Sequence, residues 1–214
     1  METKYDFFKK ALKKKQEQKQ YSQLRCIVPI DDPQGLCQKN NINFSSQDIL
    51  ALSLHPHVKK NTIKYVLEWG VGTTPSRLLT EHLQCHRSVE EKIAKLIGRE
   101  TALLFPTALQ VHEHALSTLA NQRSLIFIDR FCNHGLIQSA LSTQAKVVRF
   151  EHQSMQDLTL LLEKHKTASC NTKLIISESL SGFSGEATDL KRLSELAEEH
   201  QAFTYIDDTF AVEI

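Results

Sequence analysis

Two stretches of the 214-residue sequence carry polar groups at spacings that could do chemistry. In YIDD (205–208), Tyr205 and Ile206 read as the end of a buried strand, and Asp207 and Asp208 stand where that strand leaves the core. A carboxylate at the carboxyl end of a parallel strand is a common place for a ligand. Asp207 there could pair with a cationic ring nitrogen or coordinate a metal; it could equally cap a helix or salt-bridge to a neighbour. In GVGTTPSR (70–77), two glycines let the backbone approach a ligand closely, and Thr73, Thr74, Ser76 and Arg77 offer donors suited to phosphate or carboxylate. A plain connecting loop with a salt-bridged arginine has the same composition.

Other conspicuous clusters fail on spacing. Successive helix positions point about 100° apart, so His112-Glu113-His114 does not present two imidazoles on one face as HExxH does. Cys85-His86 and Cys132-Asn133-His134 fail likewise and read as ordinary surface or half-buried groups. There is no GxSxG elbow and no GxxxxGK[ST]; GVGTTP lacks the third glycine and the preceding strand of GxGxxG. The five cysteines (26, 37, 85, 132 and 170) form no CxxC pair, which supports neither a disulfide framework nor a thiolate zinc site. With 26 Lys+Arg against 25 Asp+Glu, overall charge points to neither nucleic acid nor an acidic membrane. The start, METKYDFFKK, lacks the apolar core of a signal peptide, and no apolar run approaches the ~20 residues of a membrane span. A reduced, cytoplasmic setting fits best.

The elements that must position these groups alternate regularly. Residues 1–44 read as a helical arm and a short strand: Phe7, Phe8, Ala11 and Leu12 share one helix face, expected to pack by the two phenylalanines, among Lys9, Lys10 and Lys13–Lys15. Asp31-Asp32-Pro33 predicts a turn and NINF (41–44) a strand. From 45 onward, Ser45 or Ser46 can cap a helix carrying Ile49, Leu50 and Leu52, and Pro56 suits the first turn of a helix running to Trp69. Ser88-x-x-Glu91 reads as a capping box before KIAKLIG, with Gly98 ending the helix. TALLF (101–105) predicts a strand, and 106–120 a helix with Pro106 in its first turn. Short β-branched runs at 124–129, 146–150, 173–177 and 203–207 predict strands, with helices at about 133–142, 154–168 and 187–200. This alternation predicts an α/β fold, a mainly parallel sheet with helices on both faces.

In order, NFSSQDILALSLHP (43–56), YVLEWGVGTTPSR (65–77), CHRSVEEKIAKLIGRETALLF (85–105), IDRFCNHGLIQSA (128–140), ISESLSGFSGEATDL (176–190) and YIDD resemble the α-oxoamine synthases of the fold type I pyridoxal-phosphate enzymes. The resemblance implies that residues 45–214 are a partial large domain of that fold. It implies a reaction joining an amino acid to an acyl thioester, on acyl-CoA or an acyl carrier protein, with pyridoxal phosphate as electron sink. It also implies a homo- or heterodimer whose sites lie at the interface, with the loop matching 70–77 contributing to the neighbouring site.

Carried over by position, Asp207 matches the aspartate that pairs with the pyridinium nitrogen. Four other cofactor positions depart. Ala108-Leu109 stand where the family has Gly-Phe, and Asn133 falls on the ring-stacking histidine, with His134 one place late. Gly182 falls on the serine near the ring hydroxyl, flanked by Ser181 and Ser184, and Phe210 replaces a histidine. The family's Schiff-base lysine lies well beyond the aspartate. The resemblance therefore predicts a truncated chain without a catalytic residue of its own, with exposed apolar surface and weak cofactor binding at best. The alternative is a degenerate homologue acting as partner subunit.

Overall fold

The computed structural model describes residues 4–24, 46–72, 76–79 and 83–211. The expected turn at 31–33, strand at 41–44 and cap at Ser45, and Thr73, Thr74 and Pro75 of the glycine loop, lie outside them. The chain divides into two compact units, Met1–Val71 and Gly72–Ile214.

In the first unit, α1 spans Asp6–Glu17. Within this unit none of its side chains is buried; Phe7 and Phe8 are exposed, with ring centroids 5.4 Å apart. The helix expected around Ile49 is instead a turn followed by a single 3-10 turn, Leu52–Leu54. Side-chain hydrogen bonds compete with helical ones here. The Ser46 hydroxyl accepts from the Asp48 N–H (3.1 Å), and the Asp48 carboxylate accepts from the Ser53 N–H (3.4 Å) and hydroxyl. Helix α2, Pro56–Trp69, begins on its proline and ends at Gly70, whose φ of 81° suits glycine.

In the second unit, α3 spans Gln84–Leu96, so Ser88 lies inside the helix rather than capping it. Gly98 (φ 65°) does close it: its N–H bonds to the Lys95 carbonyl (3.3 Å), and the Arg99 N–H to that of Ala94 (2.8 Å). That pair of bonds is a Schellman ending. Helix α4, Ala108–Leu119, starts after Pro106, with the Thr107 hydroxyl accepting from the Gln110 N–H (3.3 Å). Then come β1 (Ser124–Asp129), α5 (His134–Ser142), β2 (Lys146–Phe150), α6 (Met155–Lys164), β3 (Thr172–Glu178), α7 (Leu190–Glu199) and β4 (Phe203–Asp207).

All pairings are parallel, in the order β2-β1-β3-β4. Alternate strand residues face opposite sides, and each side has its own core. Ile126, Ile128, Leu174 and Ile176 pack with Leu116 of α4 and Leu136 and Ala140 of α5. Leu125, Phe127, Phe150 and Ile175 pack with Leu158 and Leu162 of α6 and Leu193 and Leu196 of α7. Full burial stabilises each such side chain by about 1.5–3 kcal/mol. The expected doubly covered parallel sheet is what the chain forms.

The stretch 101–105 is not a strand, because no strand pairs with it among the described residues. Side chains serve its backbone instead. Arg77 donates to the Leu104 carbonyl (2.8 Å) and to Glu90 Oε1 (2.7 Å), and that same oxygen accepts the Leu104 N–H (2.8 Å). Arg77 is thus the salt-bridged arginine of a connecting loop. Beside it, the loop residues Leu78 and Leu103 are exposed (92% and 69%).

Candidate functional site

The chain runs from β1 out to β2 and then crosses to β3, so its direction reverses between the two central strands. In open parallel sheets, ligands favour the crevice outside the carboxyl ends of the strands at such a point. Three acidic residues end strands there: Asp129 on β1, Glu178 on β3 and Asp207 on β4.

Asp207 is held by its neighbours. Its Oδ1 accepts from the Thr209 N–H (3.1 Å) and hydroxyl, and its Oδ2 lies 3.5 Å from His112 Nε2. Both side chains are nearly buried, at 11% and 9% exposure. The other nitrogen of His112 is 2.9 Å from the Tyr205 hydroxyl. With Nε2–H directed at the carboxylate, Nδ1 accepts the phenolic proton; the tautomer is assigned from these partners. Burial, with the Asp207 charge adding to it, pushes the Tyr205 phenol up to about 12, which keeps it the donor.

His112 is therefore a site residue that helical spacing alone could not single out. Two helical steps, about 200°, separate it from His114, which stacks on Phe105 with centroids 5.9 Å apart. The contact that matters joins residues 93 positions apart, and no local signal reports it.

The remaining positions cluster around the same edge. Ala108 and Leu109 open α4 one turn before His112. A side-chain carbon of Leu109 comes within 3.4 Å of where a Cβ on Gly135 would stand, which brings the first turns of α4 and α5 together. Asn133 caps α5: its side-chain oxygen accepts the Gly135 N–H (2.8 Å), while its own N–H donates to Glu178 Oε1 (2.8 Å). Its amide oxygen is thus committed to the helix end. The other Glu178 oxygen accepts from the Gly182 N–H (3.2 Å). Cys132 is buried beside Asp129 and Glu178; desolvation first, then those charges, push its thiol far up and make it inert.

Two departures from the family pattern turn out to be one. A Cβ placed on Gly182 would lie 2.5 Å from Cε2 of Phe210. The phenyl ring fills the space a side chain at 182 would need. The residues present thus suit the ring-nitrogen end of pyridoxal phosphate, through the Asp207 carboxylate. They do not suit its hydroxyl end, where Phe210 supplies neither donor nor acceptor. Among the described residues no group of three or more His, Cys, Asp or Glu could hold a metal ion, and no helix is long and apolar enough to cross a membrane.

Comparison with known proteins agrees with this architecture. The family model described as aminotransferase class I and II matches residues 39–212. A putative 8-amino-7-oxononanoate synthase of Desulfosudis oleivorans is 30% identical over 98% of this chain and 54% of its own length. The solved serine palmitoyltransferase of Sphingomonas wittichii superposes with a TM-score of 0.72 at 26% identity, covering 76% of this chain and 40% of that one. A serine palmitoyltransferase solved with pyridoxal phosphate superposes at a TM-score of 0.75 over 96% of this chain and 52% of that chain; at 21% identity it attests the fold alone. The chain spans about half the length of the curated relatives it matches.

Proposed function

Because the chain belongs to the aminotransferase class I and II family, we propose that it forms the aspartate-bearing half of an α-oxoamine synthase-type site. Residues 45–214 serve as its large-domain portion and 1–44 as an arm. The reaction is condensation of an amino acid with an acyl thioester, and the setting is a cytoplasmic dimer. Pyridoxal phosphate, when bound, supplies the electron sink. Asp207 would face the ring nitrogen; Ala108, Leu109 and Asn133 would border the ring. The observation that carries the proposal is the Asp207 carboxylate, nearly buried at a strand's carboxyl end and aligned by His112 and Thr209. His112 and Tyr205 would keep that carboxylate oriented, and burial would strengthen its attraction for a protonated nitrogen.

A second reading, a partner subunit without chemistry of its own, is favoured by Phe210 occupying the space beside Gly182 and by the commitment of Asn133 to a helix cap. One experiment separates them. Protein from its native source is treated with pyridoxal phosphate, reduced with borohydride and weighed intact. One pyridoxyl group per chain, lost in Asp207→Asn, supports the catalytic reading. No stoichiometric adduct, with copurification of a catalytically competent relative, supports the second.

A further inference from the structure

A second constellation lies on the same edge, apart from Asp207. Asp129 is buried at the end of β1. Its Oδ1 accepts from the Phe131 N–H (2.8 Å) and its Oδ2 from the Gln153 N–H (2.9 Å). Between these, both oxygens face His152 Nδ1, at 2.9 and 3.0 Å. A carboxylate so placed holds the ring proton on Nδ1 and leaves the Nε2 lone pair free to accept. The group facing Nε2 is the Ser184 hydroxyl, at 2.9 Å. The order carboxylate, imidazole, hydroxyl is therefore complete, from the end of β1 and the segments that follow β2 and β3. Local motifs could not reveal it, since residues 129, 152 and 184 share no short pattern.

The surroundings suit a nucleophile. Ser184 sits in an exposed loop, while the imidazole is only 15% exposed. The Glu186 N–H donates to Ser184 Oγ (3.3 Å) and so leaves the hydroxyl proton for His152. Glu186 Oε2, 3.7 Å from Nε2, would stabilise the imidazolium that proton transfer creates. Phe131 packs on His152 and Phe183, at centroid distances of 5.0 and 5.3 Å, and both phenylalanines are exposed, forming an apolar wall beside the hydroxyl.

We infer that Ser184, with His152 as general base and Asp129 as positioning residue, is an acyl-accepting nucleophile for activated esters or thioesters of apolar acids. Ser184 Oγ attacks the acyl carbonyl; the O–C bond forms as the C–S bond breaks. The hydroxyl proton passes to His152 Nε2 and then to the departing thiolate, leaving an acyl-serine and a free thiol. The nearby N–H groups are already engaged: those of Phe183 and Ser184 by Ser181 Oγ, and that of Gly185 by the Ser181 carbonyl. Among the described residues no donor pair awaits an oxyanion, so the expected outcome is one slow acylation per chain rather than rapid turnover. The inference does not depend on pyridoxal phosphate.

The test uses the full chain with a fluorophosphonate probe and, separately, p-nitrophenyl octanoate, read by intact mass and peptide mapping. One adduct on Ser184 is expected, absent in Ser184→Ala and in urea-unfolded protein. The labelling rate should fall about 100-fold in His152→Gln, the usual contribution of a general base. No adduct on Ser184, or equal labelling of the unfolded chain, would overturn the proposal and leave the trio as a tie between loops. A His152→Gln variant that labels at the native rate would also overturn it.

Discussion

Helices α2 and α7 are built from similar local instructions and end in opposite circumstances. Helix α2 has a proline in its first turn and glycine at its end; α7 has Asp189, whose carboxylate accepts the Arg192 N–H (2.9 Å). Both carry apolar residues at helical spacing. In α7, Leu193 and Leu196 are 1% and 0% exposed against β-strand side chains; in α2, Ile63 and Leu67 are 61% and 82% exposed. Caps and propensity thus suffice to define a helix, whereas burial requires a surface to meet. The sheet provides that surface for α7.

The largest test of that contrast is Leu196→Ala, expected to cost about 2–5 kcal/mol in chemical denaturation, against less than about 0.5 kcal/mol for Leu67→Ala. Equal costs would mean that the α2 face is covered in solution. Next, Gly182→Ser is expected to destabilise by about 1–3 kcal/mol through collision with Phe210. Combined with Phe210→Ala, its cost should shrink by about 0.5–3 kcal/mol; strict additivity would show that the ring does not hold that space. Arg77→Ala strips both the Leu104 carbonyl and Glu90 of a charged donor, and about 1–3 kcal/mol should be lost. If Arg77→Lys restores it fully, the forked geometry is irrelevant.

The smallest effect concerns Tyr205. Its phenol titrates at about 12 in the folded protein, from an ordinary value of 10.0. Between those values the unfolded chain loses a proton that the native one keeps, so stability falls as pH rises through that window and is unaffected below it. Difference absorbance between the protein and Tyr205→Phe should show this late titration, and the variant's stability should decline less steeply above pH 10. Coincidence of the two profiles would place the phenol in water.

How far the sequence sufficed follows the same division. The runs 124–129, 146–150, 173–177 and 203–207 were legible because each is short and rich in β-branched or aromatic residues, whether the strand is buried throughout, like β1, or partly exposed, like β2 and β4. Pro56, Gly70 and Gly98 marked boundaries because their backbone preferences are intrinsic. TALLF was misread because a strand is a relationship, and Arg77 with Glu90 met the hydrogen bonds that a neighbouring strand would have taken. Ser88 was misread as a cap because α3 starts one turn earlier, at Gln84. Asp207 could be placed by its strand end alone. His112, His152 and the filling of Gly182 by Phe210 could not, since each depends on partners 23–95 positions away.

The strand order carries a kinetic consequence. The central strand β1 pairs with β2 from Leu125 to Lys146, but its other side waits for Thr172 to meet Ser124, 48 residues later (172 − 124). At roughly 5–20 residues per second, a growing chain would hold that edge of β1 unpaired for about 2–10 s. No hairpin can shorten the interval, because every pairing in the sheet is a crossover. The nascent chain is therefore most vulnerable to aggregation while its most apolar strand is half-paired, and a chaperone acting early in synthesis would find its target at residues 124–129.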